Sequence, residues 1–352
     1  MDPLSMAAWR KSGNSGVGRA ELWSPHRQFF QSRGYTLWIV GREYNHEPPN
    51  DNPRAPDGFS YENEFSADMP EPRCVSIGSP MHFPARTTDN RDVVIVLLSD
   101  GMIVGENCVD VLRKIATGKN AGIDRNHTLP LLDEIHYENL VFGVFPLVGS
   151  SFIPAWFSNI AHALESMTPK SWRASHFCMI ILWCTDLFLS NFLSSRRHGR
   201  WDPEQKQDFL RPRYYIIDFE WAVQFSSDSD PASRTVTGPP LPWDIYRRPP
   251  PPEMQSELPY CPFKADVWQV GKSFMGCILH IEHVVPDVLK LFRQMSADSA
   301  EDRPSAREAV TQLNKIRNEL STEILQACIE ELDDYDVSDD FREHEFFDLV
   351  PS

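Results

Sequence analysis

Tyr214-Tyr-Ile-Ile-Asp-Phe-Glu-Trp-Ala-Val223 is the stretch on which the fold turns. Aromatic and β-branched residues fill its first half, which predicts a short buried strand. The strand stops at Asp218, and a carboxylate at a strand end can meet a metal ion or a substrate. Upstream, Asp186-Leu-Phe-Leu-Ser-Asn191 sets an asparagine five residues after an aspartate. Asp and Asn also serve ordinary turns, so neither pair says much by itself.

Their order says more. Asp186 and Asn191 followed by a strand ending in Asp218-Phe219 is similar to the core of the protein-kinase signature. Pro251-Pro-Glu253 stands where kinases carry Ala-Pro-Glu, and Asp266-Val-Trp-Gln-Val-Gly271 looks like the start of the central helix of their large lobe. Arg303-Pro-Ser-Ala306 looks like the motif opening their last helix. Residues 73 to 320 thus resemble the eukaryotic protein kinases, in particular the divergent kinase-like proteins of mushroom-forming fungi.

The resemblance implies an α+β, two-lobed fold with a mainly β small lobe and a helical large lobe. It implies an N-terminal extension and linker over 1–72, partly disordered, a small lobe over 73–149, a large lobe over 150–329 and an acidic tail over 330–352. Asp186 would accept the substrate hydroxyl proton, while Asn191 and Asp218 would hold magnesium and so bind ATP. Glu253 and Arg303 would form a buried ion pair, and Asp266 would hold the backbone of the catalytic loop. Pro146-Leu-Val-Gly149 would be the hinge, whose backbone binds adenine in kinases.

Several parts depart from the family. His-Arg-Asp is replaced by Cys184-Thr185-Asp186, and the glycine of Asp-Phe-Gly by Glu220. The strand Val93-Val-Ile-Val96 ends in valine where kinases place the phosphate-binding lysine, and Gly78 stands alone in place of a glycine-rich loop. Two functions therefore compete. One is a pseudokinase acting as an interaction domain for a protein partner. The other is an atypical active kinase using ATP and magnesium, with Asp186 as base.

Bulk properties narrow the partners. The net charge of −16 over 352 residues argues against nucleic acid and anionic membranes. Seven scattered cysteines without a Cys-x-x-Cys pair argue for a reducing compartment and against structural zinc. The longest apolar run, Phe177 to Cys184, is far short of the ~20 residues that span a bilayer. A soluble cytoplasmic or nuclear protein is expected.

Local patterns predict further elements. Residues 1–25 are polar and read as disordered, a short helix over His26 to Arg33 ends at Gly34, and residues 46–72 read as a proline-rich linker or wrap. Arg91 to Leu98 reads as a strand and Glu106 to Ala116 as a helix. Leu129–Ile135 and Leu140–Phe145 read as an antiparallel pair. Phe152 to Met167 looks helical until Pro169. Lys264 to His283 and Val284 to Met295 read as helices. Ser305-Ala-Arg-Glu308 is a capping box opening a helix to about Cys328.

Overall fold

Apolar side chains at Phe83, Ala85, Val93, Ile95 and Leu97 alternate along two neighbouring strands and are all buried. Such a period-two stripe needs a sheet with a covered face. The computed structural model describes residues 5–12, 16–40, 45–55, 75–76, 79–101, 103–121, 128–147, 177–178, 192–195, 213–216, 219, 222–226, 228–239, 250–278 and 282–326. It divides the chain into two units, Met1–Ser151 with Phe192–Glu220, and Phe152–Asn191 with Trp221–Ser352. The architecture is α+β.

The N-terminal part of the first unit, up to Ser151, carries the strands β1 (Tyr35–Leu37), β2 (Ile39–Val40), β3 (Asn45–Glu47), β4 (Val75–Ser76), β5 (His82–Thr87), β6 (Asp92–Ser99), β7 (Asp133–Tyr137) and β8 (Leu140–Pro146). Five of them form one antiparallel sheet in the order β1-β5-β6-β8-β7. Strands β2, β3 and β4 form a small second sheet. The β7–β8 hairpin closes through Glu138 and Asn139, with Tyr137 paired to Leu140 and Glu138 at φ +53°. Tyr35 Oη donates to Asp133 Oδ2 at 2.9 Å, joining the two edge strands across a curled sheet. Burial, reinforced by that carboxylate, pushes the Tyr35 hydroxyl well above the usual tyrosine range.

The N-terminus corrects an expectation. Residues 1–25 were expected to lack structure, yet α1 (Met6–Ser12) and α2 (Gly16–Trp23) form there, followed by α3 (Arg27–Ser32). Helices this short are marginal in water. What holds them is burial of Trp9, Trp23 and Phe30 against Phe83, Ile95 and Phe142 on one face of the sheet. Trp9 and Trp23 meet edge to face at 5.1 Å, and Trp23 Nε1 donates to Pro80 O at 2.9 Å. Full burial of each such side chain contributes about 1.5–3 kcal/mol. The residues expected to form an extension thus belong to the core of the first unit. Helix α3 ends as read, at Gly34, whose φ of +91° suits glycine.

On the other face lies α4 (Ile103–Ile115), which contacts β6 while none of its buried residues joins that core; the short α5 (Gly118–Ala121) follows. Further along the chain come β9 (Phe177–Cys178), β10 (Phe192–Ser195), β11 (Arg213–Ile216) and β12 (Val223–Gln224). β10 pairs with β11 and β9 with β12, both antiparallel.

Besides the β9–β12 pair, the second unit carries the helices α6 (Pro262–Ile278), α7 (Pro286–Met295), α8 (Ala306–Glu319) and α9 (Thr322–Gln326). Val270 and Phe274 of α6, Leu291 and Phe292 of α7, and Val310 and Leu313 of α8 are buried, with the Phe274 and Phe292 rings stacked at 6.0 Å. The capping box is present in both directions: Ser305 Oγ accepts from Glu308 N, and Glu308 Oε2 accepts from Ser305 N at 2.7 Å. The bonds that Ser305 N and Ser305 Oγ donate to Glu308 Oε2 hold that carboxyl below its ordinary range. The helix expected to reach Cys328 stops at Glu319, because Leu320 turns extended at ψ 141° and α9 begins afresh. The helix expected from Lys264 starts two residues earlier, at Pro262, where proline's fixed φ suits a helix start. No helix among the described residues is long and apolar enough to cross a membrane.

Candidate functional site

Among the described residues, each unit holds a buried ion pair. In the first unit, the β5–β6 hairpin sets Arg86 directly opposite Asp92. Both are buried, at 2% and 0% side-chain exposure. The guanidinium grips the carboxylate with two bonds, Nε to Oδ1 at 2.7 Å and Nη2 to Oδ2 at 3.0 Å. Such a fork-to-fork pair fixes geometry as well as charge. The remaining nitrogen, Nη1, donates at 3.0 Å to Asn50 O, Asn50 Oδ1 and Asn52 O. Residues 50–55, read from composition as linker, are therefore bonded onto the sheet. Ala55 N donates to Asn90 O at 2.8 Å, and Arg54 Nη2 reaches Leu147 O at 3.4 Å. Leu147 N in turn donates to Asp92 O at 3.2 Å.

Two residues from Asp92 on the same face stands Val94, and beyond it Val96 and Leu98. Val96 pairs across the ladder with Gly143. A side chain at Gly143 would meet Leu98 Cδ1 at 2.7 Å, Phe145 Cε2 at 2.8 Å and Leu131 Cδ1 at 3.0 Å. Gly143 thus lets three apolar side chains close over the sheet beside Val96. Strands β5 and β6 carry one formally charged cation, Arg86, and Asp92 and Asn50 use it.

In the second unit, Glu253 and Arg303 are brought together. Arg303 Nη1 and Nη2 donate to Glu253 Oε1 and Oε2 at 2.6 and 2.8 Å. The Arg303 side chain is fully buried, and that of Glu253 is 16% exposed. Glu253 sits on a short 3-10 turn, Pro252–Gln255, and Arg303 just ahead of the Ser305 cap of α8. Asp266 lies one turn into α6, half-buried, two residues from the buried Trp268. The expected Asp186, Asn191 and Asp218 lie outside the described residues, as do Val148 and Gly149 of the hinge. Described neighbours of two of them are paired: Phe192, next to Asn191, stands across the ladder from Ile216, two residues before Asp218. Phe219, next to Asp218, is buried.

Arg86, Asp92, Asn50 and Gly143 were not singled out from sequence. The signal available was an Arg and an Asp flanking the turn residues Thr88-Asp-Asn90, a pattern consistent with a cross-strand ion pair. Nothing local points to Asn50, 36 residues from its partner. No protein-family model matches the chain, and no curated protein matches it.

Proposed function

We propose that this chain is a pseudokinase: a two-lobed, protein-kinase-like domain that serves as a binding platform for a protein partner and lacks efficient phosphoryl transfer. The observation that carries the reading is the apolar closure over Gly143. In protein kinases a lysine on the third strand, held by a glutamate on the next helix, meets the nucleotide phosphates. β6 is the third strand of the five-stranded sheet in chain order, and α4 follows it. Val96 is the residue that the resemblance sets in place of that lysine, and Leu98, Leu131 and Phe145 close over its ladder partner Gly143. A phosphate brought there would meet hydrocarbon, which desolvates its charge without return. Loss of one such preorganised contact typically costs about 2.7–4 kcal/mol of transition-state stabilisation.

Two observations support the kinase-like part of the reading. Glu253 and Arg303 make the ion pair that the resemblance implies. The β10–β11 ladder also pairs Phe192, next to Asn191 in the chain, with Ile216, two residues before Asp218. The residue types at Asn191 and Asp218 favour the second reading, an active kinase with Asp186 as base. ATP fits this chain poorly at its phosphate end. Asn191 and Asp218 would hold magnesium, which would neutralise phosphate charge when bound.

Thermal unfolding with millimolar ATP tests the proposal. A small stabilisation that needs magnesium and vanishes on chelation is expected, below the ~2.7 kcal/mol that a ligand at 100 times its Kd would add. No γ-phosphate should reach protein substrates. Transfer that Asp186→Asn abolishes would establish the active kinase instead.

A further inference from the structure

Residues 50–55 make an unusual connection. Asn50, Asp51, Asn52 and Pro53 are exposed, and Arg54 and Ala55 are half-buried, so little apolar burial holds the segment down. Its hold is polar and concentrated. Three of its oxygen atoms converge on one nitrogen of the buried Arg86, itself locked to Asp92. Asn50 Oδ1 also accepts from Asn52 N at 3.1 Å, a local turn that aims both backbone carbonyls at the guanidinium. Pro48, Pro49 and Pro53 restrict the backbone on either side of Asn50. The far end of the segment donates through Arg54 to the carbonyl of Leu147, the first described residue after β8.

We propose that residues 50–55 are an autoinhibitory strap that covers the Leu147 carbonyl and the Arg86 end of the sheet, and that a purine base must displace it to bind. This rests on the kinase-like reading above, in which the chain after β8 is the hinge that meets adenine. Arg54 already reaches the Leu147 carbonyl, and the strap's anchor is bonded to the same residue, because Leu147 N donates to Asp92 O. Release needs no unfolding of the sheet. The Arg86–Asp92 pair keeps its two mutual bonds, while water replaces the three acceptors on Arg86 and takes over the bonds to Asn90 and Leu147. A strap seated about nine-tenths of the time lowers apparent affinity about tenfold.

The test uses the full chain with two probes, adenosine and magnesium–ATP, titrated calorimetrically. Adenosine carries no phosphate and so reports the Leu147 end alone. One variant is Arg54→Ala. The other is the paired change Arg86→Leu with Asp92→Leu, which removes the anchor without leaving a lone buried charge. Hydrogen exchange at the Ala55 amide, bonded to Asn90 O in the seated strap, reports release independently. The expected result is faster exchange at Ala55 in the paired variant, and adenosine binding strengthened about tenfold in both variants. Fast exchange with unchanged adenosine affinity overturns the strap while leaving a nucleotide site standing. Unchanged exchange in the paired variant overturns the Arg86 anchor. Fast exchange with no binding of either probe to any of the proteins overturns the nucleotide reading, and the strap with it.

Discussion

Arg303 illustrates what a fully buried cation requires. A guanidinium has five N–H donors, and here each finds an acceptor. Nε donates to Ala297 O at 2.6 Å, Nη1 to Glu253 Oε1 and Lys264 O, and Nη2 to Glu253 Oε2 and Asp298 O. The backbone of Arg303 closes the loop by accepting from Lys264 Nζ. One side chain therefore ties together the Glu253 turn, the start of α6 and the loop after α7. Removing it strands Glu253 and takes a donor from three backbone carbonyls. Arg303→Ala is expected to cost about 3–5 kcal/mol in denaturant unfolding. Arg303→Lys should recover little, because an ammonium cannot span the planar fork. A loss under about 1 kcal/mol would mean that the pair behaves as a surface salt bridge. Arg86 follows the same rule in the first unit, with Asn50 and Asn52 supplying what Asp92 cannot.

At the scale of elements, α6 and α7 approach closely at Gly271. A β-carbon there would lie 2.6 Å from Ser296 Oγ, 2.8 Å from Met295 Cβ and 3.0 Å from Phe292 O. The last two belong to helix backbone or its first side-chain atom and cannot swing away. Alanine gains about 1 kcal/mol of intrinsic helix propensity over glycine, but overpacking costs about 1–3 kcal/mol. Gly271→Ala is therefore expected to lower the melting temperature, and a rise would mean that α7 can shift outward. Gly271 was visible in the sequence as part of Asp266 to Gly271, and so was the face of α6, because Val267, Val270 and Phe274 recur at helical spacing. The β7–β8 hairpin was legible for the same reason: its partners are close in sequence. The N-terminal helices were not. Their sequence is polar and rich in glycine and serine, and their stability comes from Phe83, Ile95 and Phe142, far along the chain. The strap was hidden likewise, since proline and asparagine read as linker until a buried arginine from another strand is set beside them. Of the candidate site, the motif residues could be picked out by order and spacing. The closure over Gly143 could not, because it depends on Leu98, Leu131 and Phe145 meeting in space.

For the whole molecule, the chain passes between its two units three times, at Ser151, Asn191 and Glu220. Each unit nevertheless has buried apolar residues of its own: Trp23, Phe30 and Phe142 in the first, Phe274, Phe292 and Leu313 in the second. A unit with its own core can melt as its own cooperative block. Calorimetry of the intact chain is therefore expected to show two transitions. Trp23 packs on Phe83 at 5.1 Å and on Phe142 at 5.7 Å with no exposed surface. Trp23→Ala should cost about 3–5 kcal/mol and lower only the transition of the first unit. Arg303→Ala, whose partners all lie in the second, should lower only the other. The separation follows from where each lost contact sits: the ring partners of Trp23 belong to the first unit and the acceptors of Arg303 to the second. If both substitutions moved one shared transition by similar amounts, the two cores would be melting as one, and the three chain crossings would have to transmit stability as effectively as packing does.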